Sequence, residues 1–206
     1  MPSAPSTPST YTKHSEDTSV QRAGESMVDD SGARKMTADG RKNGLAGIGD
    51  VCGGELADAG FTQTMHILGQ FLLLDMKEGL FTEWLNDATN GKCTSVNRER
   101  CYAGMWLYCR NNIREGMLED SAGNSIETAD GKSNGLAGVG DVSGAKLAAA
   151  EFKHTYNVLG QFLSKEVNQD EALFKDWLGQ ITDGKCNAGN RGKCFSGLVR
   201  FSRNNL

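Results

Sequence analysis

Six cysteines and a glycine-rich segment that occurs twice are the residues of this chain best equipped for chemistry. Cys93 and Cys101 share a C-x7-C spacing with Cys186 and Cys194, while Cys52 and Cys109 have no such counterpart. The absence of C-x-x-C and of any repeated histidine argues against zinc, so disulfide chemistry is expected and no metal or cofactor. The glycine-rich segments read Asn43-Gly-Leu-Ala-Gly-Ile-Gly-Asp50-Val and Asn134-Gly-Leu-Ala-Gly-Val-Gly-Asp141-Val. Counted from Asp39 or Asp130, they set Asn43 or Asn134 at position five, a glycine at six and Asp50 or Asp141 at twelve, as in a calcium loop. Arg41 and Lys132 then put a cation where a carboxylate should bind, so a tight turn with Asp50 and Asp141 as helix caps is preferred. A dinucleotide or P-loop reading fails, because no strand precedes the glycines and no Gly-Lys-Ser/Thr follows.

These segments belong to a larger repetition. Leu68-Gly-Gln-Phe-Leu returns as Leu159-Gly-Gln-Phe-Leu at the offset of 91 that relates the glycine segments. After a two-residue insertion near residue 165 the offset is 93, and Leu80-Phe-x-x-Trp84-Leu matches Leu173-Phe-x-x-Trp177-Leu. The chain is a tandem duplication, divided as 1–26, 27–114 and 115–206. Residues 1–26 hold all three prolines and almost no large apolar side chain, so a disordered Ser/Thr/Pro-rich tail is expected there.

Alignment of the two copies makes the cysteines informative. Cys52 falls on Ser143 and Cys109 on Ser202, so two thiols distinguish the copies together, as a bonded pair would. This selects the pairings Cys93–Cys101, Cys186–Cys194 and Cys52–Cys109, the last closing a loop worth about 4 kcal/mol in the chain-entropy model. Disulfides imply an extracellular or other oxidising compartment, although no signal peptide opens the sequence; an intracellular protein with reduced thiols is the alternative.

The apolar periodicity supplies the scaffold. Leu56, Phe61, Met65, Leu68 and Leu72 follow helical spacing, as do Leu147, Phe152, Tyr156, Leu159 and Leu163, predicting one amphipathic helix of about six turns per copy. A second helix begins near Lys77 or Asn168 and stops at Asn90-Gly91 or Asp183-Gly184, and a third starts near Asn97 or Asn190. The expected fold is all-α: two tandem homologous three-helix modules stapled by disulfides, with a disordered N-terminal tail. The aromatic stripes read as core rather than a cofactor box.

At 206 residues, 38% hydrophobic and 23% charged, the chain has material for a core, and no stretch is long and apolar enough for a membrane span. A net charge of −4 disfavours nucleic acid as a partner of the whole surface. Only the end of the chain departs from this balance, where Lys185, Arg191, Lys193, Arg200 and Arg203 occur without an acid and could meet an anionic partner. His14, His66 and His154 have no counterparts in the repeat and propose no catalytic dyad. The reading leans away from an enzyme, towards a noncatalytic, disulfide-stabilised helical interaction or surface protein that binds a protein partner. The alternatives are a carrier of a small apolar ligand among Phe61, Met65, Trp84, Met105 and Trp106, or a structural subunit of a larger assembly.

Overall fold

The computed structural model describes residues 7–25, 44–113 and 136–206, and every regular element among them is a helix. The chain divides into two compact units, Met1–Asn112 and Ile113–Leu206. In the first, α1 (Ser9–His14) and α2 (Thr18–Ala23) precede α3 (Asp50–Asp58), α4 (Thr64–Leu73), α5 (Glu78–Ala88) and α6 (Ser95–Asn112). The second contains α7 (Asp141–Ala149), α8 (Thr155–Leu163), α9 (Glu171–Ile181) and α10 (Ala188–Asn205). No described helix is long and apolar enough to cross a membrane.

Among the described residues each copy has four helices where the periodicity predicted three, because the long first helix is broken in two. Gly60 (φ 88°) and Glu151 (φ 68°) turn the chain into the left-handed region just past α3 and α7. The amide of Phe61 then donates to the Leu56 carbonyl at 2.8 Å and that of Gly60 to Ala57 at 2.9 Å; Phe152 and Glu151 repeat both bonds to Leu147 and Ala148. This is the Schellman closure, whose hydrophobic residue after the turn packs back on the helix it ends. Phe61 and Phe152 therefore stay in the apolar stripe although the helix has stopped. The other stops lie where the sequence places them, with Asn90-Gly91 and Asp183-Gly184 at positive φ directly after α5 and α9.

The core of each unit is built on an aromatic triad. Phe71, Phe81 and Tyr102 meet at centroid distances of 5.1, 5.7 and 6.3 Å. Phe162, Phe174 and Phe195 take the same places at 5.7, 5.7 and 6.1 Å. Edge-to-face packing of this kind adds to the area the rings bury. The aromatic stripes are core, as their spacing implies.

The segment expected to be a disordered tail contributes two helices. Asp17 caps α2 by accepting from the Ser19 amide at 2.8 Å, and Val20 and Ala23 are buried with Ala46, Ala103 and Leu107. Tyr11 lies on Trp106 at 4.6 Å, and Asn111 donates to the Gly24 carbonyl at 3.1 Å. Few apolar residues suffice because α6 supplies the rest of the surface; the sparse composition of residues 9–23 reflects short helices that bury one side only.

Candidate functional site

The feature the two units share most closely is a glycine hairpin seated on the first turn of the last helix of each copy. Leu45, Ala46 and Ile48 point into the first unit and are buried, as are Leu136 and Val139 in the second. Between them the chain turns at Gly47 (φ 74°) and Gly138 (φ 78°). A Cβ at either would stand 2.4 Å from a backbone oxygen, that of Asn97 or Asn190, so backbone meets backbone there and only glycine fits.

The hairpin delivers the chain into α3 or α7 through an extended glycine. Gly49 and Gly140 are the N-caps, and neither helix start has a capping side chain. The first helical bond is from Gly53 to the Gly49 carbonyl, and from Gly144 to Gly140, both at 2.8 Å. The amides ahead of these lack an intrahelical acceptor and carry the positive end of the helix dipole. Gly49, Asp50 and Val51 are exposed, as are Gly140, Asp141 and Val142. Val51 and Val142 are 65% and 62% accessible, two matched apolar side chains left in water beside the uncapped amides.

This corrects the expected role of Asp50 and Asp141, which occupy the first helical position and not the cap. Asp39, Asn43, Asp130 and Asn134, the other members of the calcium candidate, lie outside the described residues. Among the described residues no group of three or more His, Cys, Asp or Glu side chains could hold a metal ion.

The expected disulfides are not formed in the structure, although Cys93 neighbours Cys101 and Cys186 neighbours Cys194. All six cysteines are free, buried thiols. Cys52 lies beside Cys93, not Cys109: burial raises the Cys93 thiol, with a hydrogen bond involving Cys52 acting in the same direction. Cys101 is likewise raised by burial and by both of those neighbours, whereas burial alone raises Cys109. In the second unit Ser143 replaces Cys52 as the hydrogen-bonding neighbour of Cys186, and Cys194 is pushed up to about 12 by burial next to Cys186. The Cys52/Ser143 difference is therefore a local exchange of one small polar group for another, unconnected with that at Cys109/Ser202. Thiols held so far from the thiolate form are poor nucleophiles.

The remaining candidates separate. Arg191 is structural: its guanidinium donates to the Lys175 carbonyl at 3.0 Å, as its counterpart Arg98 donates to Asn86 Oδ1 at 2.9 Å. Lys185 lies close enough to Asp183 to help lower that carboxyl, after the stronger effect of the hydrogen bond from Lys146. Lys193, Arg200 and Arg203 are all exposed on α10. The residues proposed to line a ligand cavity are divided, with Phe61 against Trp84 at 5.0 Å and Trp106 against Tyr11. His14 meets Glu99 at 3.2 Å, His154 stacks on Tyr156 at 4.8 Å, and His66 is buried within α4.

Both copies match one family model, described as barrier to autointegration factor, over residues 34–112 and 127–205. Similar curated proteins are the barrier-to-autointegration factors of Danio rerio, 46% identical over 63 residues (28% of this chain, 70% of that protein), and of Homo sapiens, 46% over 65 residues (32% and 71%). That of Drosophila melanogaster is 41% identical over 65 residues (32% and 70%). No solved structure matches at a significant level. Homologues in this family bind DNA and proteins, which overturns the expectation that nucleic acid is disfavoured as a partner. They are nuclear and cytoplasmic proteins, which overturns the extracellular assignment inferred from the cysteines. A net charge does not exclude such a partner, since it registers neither the placement of the charges nor the backbone amides that can also meet phosphates.

Proposed function

The chain belongs to the barrier-to-autointegration factor family, with two copies of the family's domain in tandem, and on that premise we propose that it is a noncatalytic intracellular protein that binds duplex DNA and a protein partner. The observation that carries the DNA reading is the pair of matched hairpins. Each sets an uncapped helix N-terminus at the surface beside an exposed valine, and a phosphate is the natural acceptor for such amides. Contacts of this kind read the backbone and not the bases, so the binding is indifferent to sequence. Two such sites in one chain give a second contact a high effective concentration once the first is made.

The cap glycines provide the test. A Cβ at Gly49 or Gly140 meets nothing within 4 Å, and neither has a positive φ. In the double variant Gly49→Asp/Gly140→Asp, each carboxylate caps its own helix and occupies the amides a phosphate would use. The expected result is unchanged or slightly raised thermal stability together with a loss of DNA affinity of about tenfold or more, as the added anions also repel the phosphates. Unchanged DNA affinity in the folded variant would refute the hairpin as the contact.

A further inference from the structure

The last helices of the two copies are homologous, yet they present the same face in opposite conditions. On α6 the face running through Arg100, Ala103, Leu107 and Arg110 is occupied. Arg100 pairs with Asp17 at 2.8 Å, Ala103 and Leu107 are buried with Val20 and Ala23, and Arg110 lies over the Trp106 ring at 5.5 Å. At the offset of 93, these positions on α10 are Lys193, Ser196, Arg200 and Arg203. All four are exposed, and among the described residues none of the three cations is ion-paired with a carboxylate. Where Leu107 receives the N-terminal helices, Arg200 stands in water.

We propose that this face of α10 is a second DNA-binding surface, along which Lys193, Arg200 and Arg203 contact the phosphate backbone, so that the second copy contributes the greater share of the chain's affinity for nucleic acid. The proposal rests on the reading of the chain as DNA-binding and names where that binding is strongest. The eleven residues from Lys193 to Arg203 rise about 15 Å along the helix, while the phosphates of one strand recur about every 3.4 Å of duplex axis. A row of cations of this length therefore spans several phosphates. The composition of the face favours nucleic acid over an acidic protein. Arg, Lys and Ser are side chains that meet phosphate oxygens, and the row lacks the apolar or aromatic anchor on which protein interfaces concentrate their energy. The charge of the copies agrees: residues 136–206 carry nine Lys or Arg against seven Asp or Glu, and residues 44–113 five against eight.

The test uses the full chain and random-sequence duplex DNA, comparing wild type with Lys193→Gln/Arg200→Gln/Arg203→Gln, and with Arg110→Gln as the matched change in the first copy. The triple variant should keep the wild-type melting temperature, since all three side chains are exposed. It should lose about tenfold or more in affinity, and the dependence of log affinity on log salt should become shallower by about three. Arg110→Gln should change neither. Single Arg203→Gln and Lys193→Gln variants, each reducing the slope by about one, keep the test valid if the triple change disturbs the helix. A folded triple variant with wild-type affinity and slope, while Gly49→Asp/Gly140→Asp weakens binding, would overturn the second surface and leave the hairpin reading intact. Loss of binding to poly-glutamate with DNA affinity unchanged would also overturn it, in favour of an acidic protein. A wild-type chain that does not bind DNA would overturn both.

Discussion

The two copies share a core and differ in what surrounds it. Their aromatic triads, hairpins and helix stops match position for position, but α6 is buried from Cys101 to Cys109 except at Trp106, whereas Cys194, Leu198 and Ser202 are the buried residues of α10. A helix apolar on every side requires cover, and in the first unit α1 and α2 provide it. After duplication, then, the common scaffold was retained while one helix face was specialised twice, once as a seat for additional helices and once as a basic surface. The difference rests on a few side chains: Glu99, Arg100, Trp106 and Leu107 in one copy, Gly192, Lys193, Val199 and Arg200 in the other.

The largest effect is expected when the first copy is given the residue of the second. Leu107 is 6% exposed and packed on Val20 and Ala23. Leu107→Arg would bury a guanidinium without a partner or expel the helices above it, at a cost on the order of 3 kcal/mol. Hydrogen exchange should become fast over residues 9–23 and stay unchanged in α7 to α10. Retained protection over residues 9–23 would mean that α1 and α2 are held by something other than this face.

A smaller effect, confined to the same contact, is expected in acid. Hydrogen bonds from Lys13 and then His14 hold the Glu99 carboxyl below its ordinary value, and those from Ser19, with the nearby Arg100, do the same for Asp17. A carboxyl lowered in the folded state stabilises it above the ordinary carboxylate pKa, and that contribution is lost as pH falls through the lowered value. Both groups are partly exposed, so the loss should be under about 1 kcal/mol for each. Residues 9–23 should accordingly become sensitive to an acid-active protease below the ordinary carboxylate range, while the second unit, with Gly192 and Lys193 at the positions of Glu99 and Arg100, keeps its resistance. Equal sensitivity of both units would show that the ion pairs are not what distinguishes them.

Much of this organisation is legible in the residues themselves. The duplication, the aromatic core, the stops at Asn90-Gly91 and Asp183-Gly184 and the starts of the last helices follow from periodicity and glycine placement, which are local properties. What is not legible depends on contacts distant in sequence. Phe61 continues the apolar stripe whether or not the helix continues, so the break at Gly60 is invisible to periodicity. The burial of Val20 and Ala23 requires a complementary face more than seventy residues away. The cysteines mislead for a similar reason: comparison of the copies reports which thiols were exchanged, not which are adjacent, and Cys52 lies beside Cys93. The hairpin is legible as a glycine turn but not as the contact surface proposed for it, because the donors it would offer are backbone amides that every sequence has and only an uncapped helix start presents.

Binding of this tandem protein to the phosphate backbone of DNA is open to a single titration, of the full wild-type chain with duplexes of unrelated sequence across a range of salt. The expected result is saturable binding of similar affinity for every duplex, with log affinity falling linearly with log salt as counterions are released. No detectable binding at about 50 mM salt, or an affinity that ignores salt, would contradict it.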